Sequence, residues 1–372
     1  VTWIIEEITE RGGEMTFRDF MELALYHPNH GYYSAEVPRY GRRGDFLTGP
    51  TASFWYARAI TGVLRVVARE FGPLTLVDVG SGDGSLLENV LLSLEGEATG
   101  VVRQVVSVER SAAMRRRQRE GCTADAVPHL WVADIHELAP PPEGCVVHAS
   151  ELYDALPVHR LVAREDGLRE LWVGVESGRL CWHERPAGGE LEDYFCNHRL
   201  ALEPGQVAEV NLDALDLHRD LLRVAGGLGM AMVLDYGYPA ARLYDARGRR
   251  GGSLACYRAH RLGRDPFENP GEQDITAHVN WDDLRSVARR CGWHEAGLWQ
   301  LAEFMVRAGI GDLMEDAGIG LRADLTVEVV AERQEVKRLL DPDGMGSDLK
   351  VLIQTSGPMI EIAASALAAD AR

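Results

Sequence analysis

The spacing of apolar and polar positions cuts the chain into short segments of two periods. Residues 3–11 and 16–25 carry apolar residues three and four apart, the stripe of an amphipathic helix. Thr16 followed by Asp19 is a capping-box variant that opens the second helix, and His27–Pro28 closes it. Residues 27–50 read as a long loop, HPNHGYYSAEVPRYGRRGDFLTGP; such length points to function, and Tyr32, Tyr33 and Phe46 point to order. Helical spacing resumes over 52–71. Short β-rich apolar runs follow at Leu74–Val79, Val101–Val108, His129–Ile135, Cys145–Ala149 and Met230–Leu234, with helical stretches over 84–95 and 111–120. Strand and helix in alternation predict an α/β fold with parallel strands and crossover helices. Residues 168–184 alternate with period two on both sides of Ser177–Gly178, which predicts an inserted β-hairpin. Residues 207–225 read as a helix stopped by Gly226–Gly227. Residues 240–280 read as irregular, 281–291 and 324–340 as helices, and 294–301 and Asp348–Thr355 as strands. The Ala-rich end is a helix or a loose tail.

These segments give an organisation. Residues 1–70 are an N-terminal helical cover, 71–165 the first half of a Rossmann-like core, and 166–204 the hairpin insertion. Residues 205–239 continue the core, 240–280 form a substrate-facing insertion, and 281–372 complete the core. Composition adds limits. A chain of 372 residues that is 46% hydrophobic can bury a large core without staples. The net charge of −18 argues against nucleic acid as a partner. No run approaches the ~18 apolar residues of a membrane span, and the start lacks the basic and apolar regions of a secretory signal. The first residue is Val, as expected of a trimmed start. Six scattered cysteines without CxxC read as reduced thiols in a cytoplasmic protein, and no metal-ligand spacing stands out among the histidines.

The sharpest local signal is LVDVGSGDGSL at 76–86. A buried strand runs into Gly80, Ser81, Gly82, Asp83 and Gly84 and then a helix. Glycines let backbone approach a ligand closely, and the helix presents its first N–H groups. The spacing is G-x-G-x-G, whereas a dinucleotide fingerprint has G-x-G-x-x-G; the absence of GK[ST] excludes a P-loop. With Asp78 just before it, the loop resembles the S-adenosylmethionine (SAM) loop of Rossmann-like methyltransferases. Glu109 ends the second strand and can accept both ribose hydroxyls of such a cofactor. Asp134–Ile135 end the third; the acid either binds the adenine amino group or caps a helix.

After the fourth strand, SELYDALPVHR sets Glu151 and Asp154 three residues apart, where open α/β sheets line their ligand crevice. Two carboxylates there can bracket a guanidinium, or serve as one cap and one solvated acid. Asp235-Tyr236-Gly237 ends the fifth strand and is read toward the same crevice. His278 is either a proton acceptor or a structural loop histidine. Arg115, Arg116, Arg117 and Arg119 read as a solvated helix face. Arg247, Arg249 and Arg250 can grip an acidic partner or stay solvated. Tyr32 and Tyr33 can stack on a ligand or pack the N-terminal arm.

HPNHGYYS, GDFLT, the glycine loop, ELYDALPVHR, LDYGYP and GEQDITAHVNWDDL occur in this order. Together they resemble the MidA-like family of SAM-dependent methyltransferases, over about residues 15 to 355. The family includes the mitochondrial complex I assembly-factor arginine methyltransferase. The resemblance implies a class I methyltransferase fold with a mostly parallel seven-stranded sheet, helices on both faces, and added substrate-facing elements. It implies SAM as cofactor, held by Asp78, Gly80, Ser81, Gly82, Gly84, Glu109, Asp134, Ile135 and Glu151. Catalytic roles fall on Glu151, Asp154 and His278, and substrate contacts on Tyr32, Asp45, Phe46, Asp235, Tyr236 and Asp274. No metal is implied. Departures from the family pattern are Asp83 in place of Arg, Asn280 in place of Asp, and Phe54-Trp55-Tyr56 in place of a segment with F-G; they point to a divergent acceptor.

The expected activity is methyl transfer from SAM to an arginine of a protein substrate, a respiratory complex I subunit being one candidate. The alternatives are a small-molecule acceptor on the same scaffold and a non-catalytic assembly chaperone, with a homodimer as a candidate state. The acceptor is expected to enter beside residues 27–50, Glu151–Asp154 and the 240–280 insertion.

Overall fold

The apolar run Leu74–Val79 is buried along its whole length, as a strand covered on both faces must be. In the computed structural model, which describes residues 2–34, 50, 53–94, 96–122, 127–259 and 261–367, it lies inside a large sheet. The spatial order is His294–Gln300, Leu349–Thr355, Gly229–Tyr238, Cys145–Ser150, Leu74–Val79, Val102–Val108, His129–Val132. Leu74–Val79 is parallel to both neighbours, Val102–Val108 and Cys145–Ser150. Leu349–Thr355 is antiparallel to both of its own. In chain order these seven strands therefore run third, second, first, fourth, fifth, seventh, sixth, as expected of a mostly parallel seven-stranded sheet, and an eighth of two residues, Val279–Asn280, pairs in parallel with Gly237–Tyr238. The order reverses between Leu74–Val79 and Cys145–Ser150, a switch point whose carboxyl edge opens a crevice.

The chain divides into two compact units. The sheet unit comprises Thr48–Leu152, His218–Tyr236 and Arg285–Arg372. Its core packs the helix Phe54–Phe71 through Trp55, Ile60, Leu64 and Val67 together with Leu76, Val105, Met232 and Ile353 of the strands. The insert unit comprises Val1–Leu47, Tyr153–Leu217 and Gly237–Leu284. It holds an antiparallel sheet in which Glu14–Thr16 and Arg179–Pro186 flank Gly167–Glu176, which also pairs with His159–Arg164. Val207–Val210 pairs on the far side of His159–Arg164. Thr16 caps the helix Phe17–Tyr26 by accepting from the Asp19 N–H, as the spacing predicts. Phe17, Phe20 and Met21 of that helix enter the unit's core. Ser177 and Gly178 both take positive φ (50° and 76°), as a two-residue hairpin turn requires.

Several elements differ from the sequence expectation. The third strand ends at Val132 rather than Ile135, because Asp134 turns the chain into a short 3₁₀ helix with a reciprocal capping box to Glu137. Residues 207–225 are not one helix: Val207–Val210 pairs as a strand with His159–Val162, and the helix is Asp213–Ala225. Pairing with His159–Val162 overrides the helical spacing of Val207–Val210. The segment 240–280 is more regular than its composition implies, with a three-stranded sheet of Arg261–Gly263, Ala255–Arg258 and Asp274–Thr276. No described helix is long and apolar enough to cross a membrane.

Candidate functional site

The glycine loop lies at the carboxyl end of the first strand. Gly80, Gly82 and Gly84 all have positive φ (73°, 55° and 81°), which a side chain rarely tolerates. A Cβ on Gly80 would come 2.8 Å from the Leu152 side chain. The loop is tied to the second strand: Gly80 N–H donates to the Val108 carbonyl at 2.8 Å. Glu109 sits beside it. One carboxylate oxygen accepts from Gly82 N–H (2.9 Å) and the other from Ser111 N–H (2.7 Å). Burial raises the Glu109 pKa, while those two N–H groups oppose the rise. The helix Ser85–Ser93 then starts at Gly84, which has no side chain to cap it, and its first N–H, that of Ser85, donates to Asp83 Oδ1 at 3.1 Å. Loop and acid together fit SAM: the glycines let a ligand approach the backbone closely, and Glu109 brings a carboxylate beside them.

One member of this arrangement escaped the sequence reading. Gln118 lies on the Ala112–Gly121 helix, among the arginines read as a solvated face, yet it is buried. Its amide donates to Ser81 Oγ (2.9 Å) and to the Gly82 carbonyl (2.7 Å), and its Oε1 has no partner among the described residues. Gln118 thus clamps the loop from outside. A gap in the polar run, Met114 then Gln118 at i and i+4, was the available signal.

Asp78 is bound from the neighbouring strand. It is buried and accepts from His148 Nδ1 at 2.9 Å, while His148 Nε2 lies 3.1 Å from the Tyr56 hydroxyl. Asp78 and His148 are register partners on adjacent strands, so this buried chain braces the first strand against the fourth. Asp78 holds the strand beneath the loop through His148. Asp134 has its carboxylate engaged as the 3₁₀ cap and with the His136 ring (2.6 Å), which hold its pKa low. Ile135 is buried next to it.

Glu151 follows the fourth strand with φ +46°, an unusual value for a residue other than glycine. Two bonds force it. Its own N–H donates to the Leu234 carbonyl (2.8 Å), and the next N–H, of Leu152, donates to Asp235 Oδ2 (3.1 Å). The other Asp235 oxygen accepts from Tyr236 N–H (2.8 Å). Asp235 is therefore fully buried and positions Glu151; it is not the exposed substrate contact that the sequence suggested. Tyr236 is half-buried against the sheet unit's core. Glu151 is half-buried, and its charge, with that of Asp78, helps keep the buried Tyr56 hydroxyl protonated.

In the insert unit, Asp154, Tyr33 and Asp274 come together. The Tyr33 hydroxyl donates to Asp274 Oδ1 at 2.8 Å, and burial with the charges of Asp274 and Asp154 raises its pKa well above the usual value. Tyr32 is fully buried in that unit's core, so it packs the N-terminal arm and offers no face to a ligand; Tyr33 is the tyrosine at the carboxylates. His278 Nδ1 accepts from the Arg249 guanidinium at 2.9 Å, which leaves the neutral ring's proton on Nε2 and no free lone pair for a base. In this structure Arg249 therefore holds the His278 ring. Asp45 and Phe46, with the GDFLT segment, lie outside the described residues.

Known proteins extend this geometry. Residues 56–299 match the family model described as "Putative S-adenosyl-L-methionine-dependent methyltransferase". The chain is 27% identical over 398 aligned positions to the Drosophila melanogaster protein arginine methyltransferase NDUFAF7 homolog, mitochondrial, covering 93% of this chain and 82% of that protein. It is 28% identical to the mitochondrial protein arginine methyltransferase NDUFAF7 of Danio rerio, covering 74% and 69%. A Burkholderia thailandensis protein crystallised with S-adenosyl-homocysteine superposes with a TM-score of 0.81 at 28% identity, over 95% of this chain and 90% of that one. The chain belongs to this family: it is a SAM-dependent methyltransferase, and SAM is its cofactor.

Proposed function

We propose that the protein methylates an arginine side chain of a protein substrate. The observation that carries this reading is Glu151, held by two backbone bonds in a costly conformation at the end of the fourth strand. Fixed backbone strain at a strand's carboxyl end suits a side chain that must meet a ligand in one orientation. Glu151 and, three residues on, Asp154 supply two carboxylates, the natural partners of a guanidinium. The names of the NDUFAF7 relatives support the acceptor class.

Bound SAM supplies an electrophilic methyl group. Gly80–Gly84 and Glu109 would hold it, with Asp134 and Ile135 the candidates for its adenine end. Glu151 orients the guanidinium, balances its charge and takes the proton that its nitrogen gives up. Tyr33, kept protonated, donates to Asp274 and so fixes that carboxylate within the insert unit. Most of the acceleration comes from alignment of two reactants, with electrostatic stabilisation added by the carboxylates.

A complex I subunit is the candidate that the family resemblance suggests for the acceptor. The six free cysteines fit a reducing compartment, the cytoplasm in our reading; the relatives' names carry the word mitochondrial. The test is methylation of arginine-containing peptides and of a cell extract, read by mass spectrometry. Methyl-arginine formed by the wild type and lost with Glu151→Ala supports the proposal. Methyl transfer only to small molecules overturns the protein-arginine part.

A further inference from the structure

The hairpin Gly167–Glu176/Arg179–Pro186 carries a cluster that methyl transfer does not use. Glu176, Cys181 and His183 each direct one donor atom so that all lie within 4.8 Å of one another. We propose that these three residues bind a zinc-class divalent cation, with a fourth position open to water or to another ligand.

The spacings fit such an ion. In a tetrahedral site with zinc–sulfur about 2.3 Å and zinc–nitrogen or zinc–oxygen about 2.0–2.1 Å, sulfur and nitrogen lie roughly 3.6 Å apart and nitrogen and oxygen roughly 3.4 Å. Cys181 Sγ is 3.4 Å from His183 Nε2, and His183 Nε2 is 3.2 Å from Glu176 Oε1. The donor set of one thiolate, one imidazole and one carboxylate suits zinc and leaves one of four positions free.

The surrounding residues look built for the imidazole. Gly174 pairs with Cys181 on one side and Glu14 on the other. A Cβ there would meet the His183 ring at 2.4 Å, so glycine, otherwise unfavourable inside a strand, leaves the ring its seat. Lying across Gly174, the ring donates from Nδ1 to Glu14 Oε2 at 2.8 Å. Arg185 in turn pairs with Glu14 (2.7 Å). A carboxylate on the far nitrogen of a ligating histidine is the usual outer partner of a zinc site and fixes which nitrogen faces the metal. Glu176 and Cys181 are reachable from solvent, Glu176 at the hairpin turn.

The experiment titrates cobalt(II) into the reduced full-length chain after chelator treatment, then displaces it with zinc. One equivalent should bind, with the near-ultraviolet band of a cobalt–thiolate bond and the visible bands of tetrahedral cobalt. Cys181→Ser should remove the thiolate band. Glu14→Gln should weaken zinc about 10- to 100-fold, the usual loss for an outer partner. Cys291→Ser, an exposed thiol of the other unit, should change nothing. Far-ultraviolet dichroism and SAM binding, read on every variant, confirm folding. No saturable band in the wild type, or one that survives Cys181→Ser, would overturn the proposal and leave a hydrogen-bonded cluster only.

Discussion

The two units build their chemistry in opposite ways. In the sheet unit the groups that matter lie at the ends of parallel strands, and backbone does much of the work: Gly80–Gly84, Gly82 N–H on Glu109, and the pinned turn at Glu151. In the insert unit, side chains from distant segments meet through strand register or loop packing, as at Tyr33 and Asp274 or at Glu14 and His183. Backbone-built sites leave a local signature in the chain. Register-built sites do not, because partners far apart in sequence share no spacing.

If that division is functional, lesions should sort by unit. The largest effect is expected of Glu151→Ala: turnover should fall about 100- to 1000-fold, the cost of removing an electrostatic group from a transition state. SAM affinity, measured by calorimetry, should stay nearly intact; equal loss of both would refute the assigned role. Glu109→Ala should instead weaken SAM about 10- to 100-fold through lost charge-assisted bonds to ribose, and unchanged affinity would move the ribose contact elsewhere.

A third difference concerns acid stability. His218, fully buried in the sheet unit and donating to Gln354 Oε1, has its pKa pulled down to about 4 by burial. The unfolded chain binds that proton near pH 6.5, the folded one only near 4, so the stability is full above the unfolded pKa and is lost as pH falls toward 4. Between pH 7 and 5 this amounts to on the order of 2 kcal/mol. Urea unfolding at the two pH values should show it, and His218→Gln should flatten the difference. The smallest effect is expected of Tyr33→Phe. Loss of one hydrogen bond to Asp274 should raise the acceptor KM about 3- to 10-fold, with SAM affinity unchanged. A change in SAM affinity instead would blur the division between units.

Legibility in the sequence follows the same line. The parallel strands were visible because each is a short, β-rich and mainly apolar run, and the glycine loop because its shape depends on residues in sequence. The hairpin at Ser177–Gly178 was visible because its turn needs positive φ. What stayed hidden depended on packing. Asp78 looked like a loop acid but bonds to His148, seventy positions away. Asp235 looked like a substrate contact but braces Leu152. Gln118 sat inside an arginine run, and its burial appears only when the helix packs on the loop. The Glu176, Cys181 and His183 cluster resembles no metal motif because a hairpin turn and Gly174 assemble it.

The central claim is that the glycine loop and Glu109 hold SAM. Its most direct test is calorimetric titration of the full chain with SAM and S-adenosyl-homocysteine, beside Gly82→Val, which forces a branched side chain onto φ +55°. The account predicts saturable binding of both ligands at one site per chain by the wild type, and none by a folded Gly82→Val. Binding that survives the substitution, or its absence from folded wild-type protein, would contradict it.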